Sequence, residues 1–448
     1  MKLDRLSLTN YRRFESLVVA FHPELTVLVA RNGEGKTSVL EAITSAFGTF
    51  VGAFDLGKAK HIDQADARRT VVDGSPESEA HYPVVIEALG SWEGVQQTWR
   101  RALTGTKNKT TIKDAAPVTQ YGKKLQDYIR EERNIGLPLI AYYGTSRLWL
   151  THKNLSRKSV VSASRSLGYE DCLSPASNYK QLQQWFSKAN FALWQGKRSD
   201  GPYADSLEKR IAAVRNAVDI VLEDEGWYGL DYDPGVEEMI IRHREQGVLP
   251  LGMLSDGVRA MVTLVADIAF RCTKLNPQME ERAAAETMGI LLIDEVDMHL
   301  HPLWQQRVIV SLRRAFPKLQ LIITTHSPQV LSTVPRESLR LLKGYWKSDT
   351  QGWMGEVEIP SYQAKGTASS DALIHLMGTN PQPDVEEAQW IADYTAAIEE
   401  GTHEEAEGRT LRKKLLAFYG ATHPVMRDAD RLIRFQSFKL RRQMSNKD

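Results

Sequence analysis

The chain has 448 residues, enough for one large α/β domain carrying an insertion or for two domains. Its 57 basic and 56 acidic residues leave a net charge of +1, so no global field compels nucleic-acid binding and a local patch would have to supply it. Two cysteines, Cys172 and Cys272, lie far apart with no CxxC pair, which argues against a zinc site or a disulfide framework and suits a reducing, cytoplasmic setting. The N-terminus runs straight into a strand pattern and no apolar run approaches the ~18 residues of a membrane span, so neither a signal peptide nor a membrane partner is expected.

MKLDRLSLTNYRRFESLVVAF (1–21) alternates as strands do and carries a basic turn, Arg12-Arg13. LTVLVARNGEGKTSVLEAI (25–43) reads as an apolar strand, a glycine-bearing loop and a helix. The phosphate-loop pattern asks for Gly, four residues, then Gly-Lys-Ser/Thr. Here Gly35-Lys36-Thr37 closes the pattern and Gly33 lies inside it, while the first position is Ala30. Alanine restricts positive φ without forbidding a tight loop. The plainer alternative is a glycine-rich turn before a helix, but strand and helix flank the loop as the motif requires. Ala30, Arg31, Asn32, Gly33, Glu34, Gly35, Lys36, Thr37 and Ser38 would then cradle the phosphates of ATP. Lys36 would reach the β/γ oxygens, and the Thr37 hydroxyl would take a place on Mg²⁺.

Residues 58–78 are polar, 82–103 read as paired strands around a glycine turn, and 104–117 are again polar. LPLIAYYGTSRLW (137–149) is a buried strand followed by a turn. Residues 151–226 form an insertion with room for a couple of short helices; Trp185, Phe186, Phe191 and Trp194 make a stripe that suits helix–helix core better than base stacking. After further strands, Ser255, Asp256 and Gly257 precede VRAMVTLVADIAF, placing good cap residues at a positive helix end.

MGILLIDEVDMHLHP (288–302) has the apolar run of a strand buried on both faces, ending in Asp294 and Glu295. One carboxylate there can hold a Mg²⁺ water shell and the next can polarise an attacking water. His299 and His301 beside these acids can suggest a metal site, or simply a loop. LQLIITTHSP (319–328) is another buried strand, ending in His326, within reach of a γ-phosphate. The tail after residue 345 reads as mostly charged helix. Its RLIRFQSFKLRRQ (431–443) is either a docking or nucleic-acid element or a solvated helix with an apolar stripe. It lacks the separated Glu and Asp-x-Asp clusters that a metal-dependent nuclease domain would need, so the chain is not expected to cut DNA itself.

In order, these segments resemble the head of ABC-type ATPases: N-terminal strands, Walker A, signature, Walker B with its Glu, D-loop and switch histidine. The start is similar to the RecF and SMC group, although LSDG stands where LSGG is usual. Residues 267–331 resemble the OLD-like AAA branch of defence ATPases, above all the PtuA family, ATPase subunits of Septu anti-phage systems and related retron modules. That resemblance implies an α/β ABC-ATPase head with a mixed central sheet flanked by helices, a short helical arm and a helical C-terminal extension. The expected division is 1–150, 151–226, 227–345 and 346–448. It also implies ATP and Mg²⁺ as cofactors, with Thr37 and Asp294 on the metal, Glu295 and His326 as catalytic groups with Asp294, and Ser255, Asp256 and Gly257 acting on ATP held by a second copy. A homo-oligomer built from head-to-head ATP-sandwich dimers follows, with an HNH-type nuclease as separate partner and DNA or other nucleic acid reached through the complex. A RecF-like DNA-repair ATPase, or an oligomeric scaffold with little turnover, are the alternatives. The glutamine that such heads carry after the strand ahead of the arm is missing from Tyr143–Arg147, and Gln64 is another candidate.

Overall fold

The computed structural model describes residues 1–71, 77–148, 164–175, 179–196, 202–348 and 352–445; these form two compact units, Met1–Met377 and Gly378–Asp448. Residues 151–163 of the expected insertion and the side chain of Trp194 lie outside the described residues.

The first unit begins with a hairpin, β1 (Lys2–Tyr11) and β2 (Phe14–Ala20), whose turn is Arg12-Arg13. In β1, Leu3, Leu6 and Leu8 are buried and polar residues face outward, the pattern of a sheet covered on one side. β3 (Leu25–Val29) is buried at every position. A small ribbon, β4 (Arg69–Val71) and β5 (Ser78–Ala80), comes before the longer hairpin β6 (Val84–Trp92) and β7 (Val95–Leu103). β8 (Leu139–Tyr143), β12 (Gly289–Ile293) and β13 (Leu319–Thr324) repeat the fully buried character of β3. Between them β9 (Trp227–Asp233), β10 (Glu238–His243) and β11 (Gly247–Pro250) make a separate antiparallel sheet. β14 (Leu339–Lys347) and β15 (Gly352–Glu358) close the set.

Ten strands join in the order β7-β6-β1-β2-β15-β14-β3-β13-β12-β8. From β14 to β8 the neighbours are all parallel, whereas the hairpins at the other side are antiparallel. The result is the mixed sheet flanked by helices that the motifs call for. Parallel neighbours deliver their C-terminal ends to one edge, where ligands of open α/β sheets bind. β3, β13, β12 and β8 stand side by side, so the chain after each emerges at the same edge.

Strand β15 lies on a stretch whose sequence pattern reads as the start of a charged helical tail. It pairs with β14 and β2 because the β14 hairpin brings Trp353 beside Phe14, and sheet pairing overrides a weak local pattern. The helix Lys36–Ala46 follows β3 and ends against β7: Trp99 Nε1 donates to Ala46 O at 2.9 Å and Arg101 Nη1 to Ser45 O at 2.6 Å. These donors satisfy carbonyls that a helix end leaves open.

The insertion helices Tyr179–Gly196 and Pro202–Leu222 lie on the core and do not project from it. Phe186 is fully buried, and the Trp185 and Phe270 ring centroids are 5.1 Å apart, which makes this part of the aromatic stripe helix–helix packing; Phe191 is exposed. In the second unit the helices Glu386–Glu400, Ala406–Tyr419 and Pro424–Ser445 enclose Tyr394, Ile398, Leu415 and Met426. Phe435 and Phe438 face solvent, each 64% exposed. Among the described residues, no helix is long and apolar enough to cross a membrane.

Buried Asn276, at the C-terminus of helix Asp256–Leu275, ties that helix to the segments leading into β8 and β12. Its Oδ1 accepts from Leu137 N at 2.7 Å, and its Nδ2 donates to Leu137 O at 2.9 Å and Thr287 Oγ1 at 3.0 Å. Asn276→Ala strands a buried backbone N–H and C=O and is expected to lower unfolding free energy by about 2–4 kcal/mol, measured by denaturant titration.

Candidate functional site

The phosphate loop is shaped by its glycines. Gly35, in the left-handed region at φ +97°, begins the helix Lys36–Ala46. A Cβ there would sit 2.4 Å from the ring of Phe14, so both conformation and space demand glycine. The turn of the β1–β2 hairpin folds over this loop: Arg13 donates from Nη1 to Gly33 O, and its guanidinium lies 4.2 Å from the ring centre of Trp353. Arg12 pairs with Glu41 on the loop's helix and with Asp66 at 2.9 Å. Within the loop, the Arg31 amide donates to Glu34 Oε2 at 2.8 Å. Asn32 and Thr37 are exposed and Ser38 is half-buried.

Lys36 is only 6% exposed, and its ammonium donates to Ala30 O at 2.7 Å and Arg31 O at 3.2 Å. Burial pulls its pKa below the ordinary lysine value, while Asp294 and Glu295 push it back up. A desolvated cation held by two carbonyls at a helix N-terminus suits a polyphosphate, which would supply the missing counter-charge.

Asp294 ends β12 with 1% exposure. Its Oδ2 accepts from Thr37 Oγ1 at 2.7 Å and its Oδ1 from Thr324 Oγ1 at 2.6 Å. The Thr37 hydroxyl and Asp294 carboxylate, hard oxygen donors in contact, form a set that fits Mg²⁺ carried by phosphates. Glu295 follows at φ +45°, an uncommon backbone state for a residue with a side chain. Its amide donates to Thr324 Oγ1 at 2.7 Å, while its carboxylate, 38% exposed, lies 4.0 Å from His326 Nε2. Asp297 accepts from Thr325 Oγ1 at 2.5 Å, tying the next loop to the end of β13.

Ser255 occupies the N-cap position of helix Asp256–Leu275, but its hydroxyl does not close the cap; Ser255 and Asp256 are both exposed. Asp256 is paired with Arg259 at 2.7 Å, which tempers the repulsion a free carboxylate would present to an incoming phosphate. Gly257 packs so closely that a Cβ would come within 2.4 Å of His299 O. His301 serves as a helix cap, its Nδ1 accepting from Leu303 N at 3.3 Å. Among the described residues, no group of three or more His, Cys, Asp or Glu gathers as a metal cluster.

The structure brings Lys36, Thr37, Asp294, Glu295 and His326 together at the ends of β3, β12 and β13. Gln64 is engaged elsewhere, donating to Thr106 O. The sequence reading passed over Arg147, which donates to the carbonyls of both Asp294 and Glu295. It also passed over the threonines Thr324 and Thr325 that hold the acids. The only local signals were an arginine just past a buried strand and the TT pair before His326.

A buried-edge phosphate loop, a carboxylate pair on a neighbouring parallel strand and a histidine on the strand between them define an ABC-type nucleotide-binding head. A family described as "AAA domain, putative AbiEii toxin, Type IV TA system" matches residues 152–332, and one described as "AAA domain" matches residues 5–221. The chain is 23% identical to "Retron Vc95 probable ATPase" of Vibrio cholerae over 92% of its own length and 86% of that protein's. It is 42% identical to "Septu protein PtuA" of Bacillus mycoides over 17% of this chain and 10% of that one. Among solved structures, an SMC head bound to the C-winged helix domain of ScpA matches 80% of this chain and 98% of its own, at 14% identity and a TM-score of 0.47. The chain is similar to AAA-domain proteins and to the probable ATPases of retron and Septu defence systems over these extents.

Burial and the Lys36 charge lower the His326 pKa, whereas Glu295, Asp297 and Asp294 raise it; burial wins, so the imidazole is neutral at pH 7. Glu295→Gln is therefore expected to shift His326 titration to still lower pH and Lys36→Ala to shift it upward. NMR titration of ring-labelled histidine reads both; shifts of the opposite sign would contradict this electrostatic picture.

Proposed function

We propose that this protein binds ATP with Mg²⁺ at the edge formed by β3, β12 and β13 and hydrolyses it slowly, as the switch of an anti-phage defence complex. The observation that carries the reading is the Thr37–Asp294 hydrogen bond, which joins the phosphate loop to the end of β12 across 257 positions of sequence. In this reading the amides of residues 30–38 and Lys36 hold the phosphates. Thr37 and Asp294 would hold Mg²⁺, which would supply positive charge beside the phosphates. Glu295 orients and deprotonates the attacking water, and neutral His326 donates toward the γ-phosphate.

Ser255, Asp256 and Gly257 serve the nucleotide of a second copy, giving an ATP-sandwich dimer; the exposure of Ser255 and its unclosed cap support that role. The likeness to retron and Septu ATPases supports an output through a separate HNH-type nuclease, with the chain as scaffold, sensor and gate and not itself the nuclease.

Lys36→Ala is expected to abolish ATP binding. Glu295→Gln should bind ATP normally while turnover falls by roughly 10²–10⁴-fold, the usual contribution of a general base. Nucleotide affinity measured beside phosphate release tests both, and wild-type turnover in Glu295→Gln would remove the base assignment.

Ser255→Arg should leave the fold and mononucleotide affinity intact but stop hydrolysis, because a bulky cation blocks the shared interface. Phosphate release and light scattering with and without ATP decide it. Full ATPase activity in that variant would exclude the shared site.

A further inference from the structure

We infer that Arg147 is a positioning residue for hydrolysis, holding Glu295 in its left-handed backbone state so that the carboxylate faces the nucleotide. The inference rests on the ATPase reading and adds a residue that the motifs do not contain. β8 runs parallel to β12 with Tyr143 opposite Ile293, so the chains leaving both strands emerge side by side. The turn Thr145–Leu148 then aims the Arg147 side chain under the Asp294–Glu295 pair.

Arg147 is 5% exposed. Its Nη1 donates to Asp294 O at 2.7 Å and to Gly144 O at 3.2 Å, and its Nη2 donates to Glu295 O at 2.9 Å. The two carbonyls belong to the peptide planes before and after Glu295. Fixing both planes fixes φ and ψ of that one residue. A left-handed backbone is unfavourable for a non-glycine residue and persists only where its surroundings over-determine it. At Glu295 those surroundings are the Arg147 fork on the two carbonyls, Thr324 Oγ1 accepting from the Glu295 amide, and two backbone bonds, Val296 N to Thr324 O and Met298 N to Glu295 O, each at 3.0 Å.

The carboxylate takes no part in these bonds and stays partly exposed, near His326. The backbone sets the direction in which the side chain leaves Cα, and Arg147 is the side chain that grips both carbonyls flanking that backbone. A planar guanidinium can span two carbonyls at once, whereas an ammonium is a point donor. Burial lowers the Arg147 pKa below the ordinary arginine value, and the acids Asp294, Glu295 and Asp297 around it offset part of that shift.

The test uses full-length Arg147→Ala and Arg147→Lys, with ATP affinity from a fluorescent ATP analogue, kcat from phosphate release, and folding from thermal unfolding. Arg147→Ala is expected to bind ATP as wild type does but to lose roughly a hundredfold in kcat, the size of effect a small misplacement of a reacting group produces. Arg147→Lys should fall between, and guanidinium ion, at concentrations too low to unfold the protein, should restore part of the Arg147→Ala loss. A folded Arg147→Ala with wild-type kcat overturns the inference, as does a fall in affinity that accounts for the whole fall in activity, or no response to guanidinium. Should Arg147→Ala not fold, Arg147→Lys decides: lowered kcat at unchanged affinity supports the role and unchanged kcat refutes it. Wild-type protein without turnover overturns the ATPase reading and this inference with it, whereas normal turnover in both variants overturns this inference alone.

Discussion

One buried carboxylate holds the site together. Asp294 accepts a hydroxyl from the phosphate-loop helix through Thr37 and another from the end of β13 through Thr324. Its amide donates to Tyr143 O at the end of β8. A charged group with almost no solvent contact costs free energy unless its lone pairs are filled, so each of these bonds is obligatory as well as favourable. Hydrogen bonds to an ionised group contribute about 1.5–3 kcal/mol each. The parallel register of β3, β13, β12 and β8 is what brings the four strand ends close enough for a single residue to serve three neighbours, two through its carboxylate and one through its amide.

The end of β8 also reaches helix Asp256–Leu275. Tyr143 OH donates to Asp267 Oδ2 at 2.7 Å, and Arg271 Nε donates to the same oxygen at 3.0 Å, both bonds fully buried. Arg271 also donates to the carbonyls of Gly168 and Glu170, which anchors the segment that leads into the insertion helices. A buried pair of this kind adds little net stability over an apolar substitute, but breaking it leaves an uncompensated charge. Its effect is to lock helix Asp256–Leu275 in register with β8, and through β8 with Asp294. Asn276 repeats the lock at the helix's far end.

The parts of this arrangement that were legible in the sequence are those whose physical signal is local. A strand buried on both faces writes itself as an unbroken aliphatic run, and a phosphate loop needs glycine and lysine at fixed spacing; 25–43 satisfies both demands within a few residues, and 288–302 and 319–328 satisfy the first. Arg147 carries no such mark. Its partners are backbone carbonyls 147 and 148 positions away, and backbone carbonyls have no sequence identity. The Arg13–Gly33 contact was hidden for the same reason. Strand β15 escaped because GWMGEVE has no strong apolar face of its own and is recruited by its neighbours β14 and β2. The insertion helices were legible as helices, but their lying flat depends on Trp185 meeting Phe270, a contact between segments distant in sequence.

The close packing of Gly257 on the carbonyl of His299 has a mechanical consequence. Two backbones touching with no side chain between them have no compliant layer to absorb a push. The first turn of helix Asp256–Leu275 and the loop Asp297–His301 therefore behave as a single stiff part, and Asp297 in that loop is itself pinned to Thr325. Pressure applied from outside at Gly257 arrives four residues downstream of Glu295, along a lever too short to bend. A contact made there would meet backbone directly, with no side-chain layer to rearrange before it reached the loop that follows the carboxylate pair.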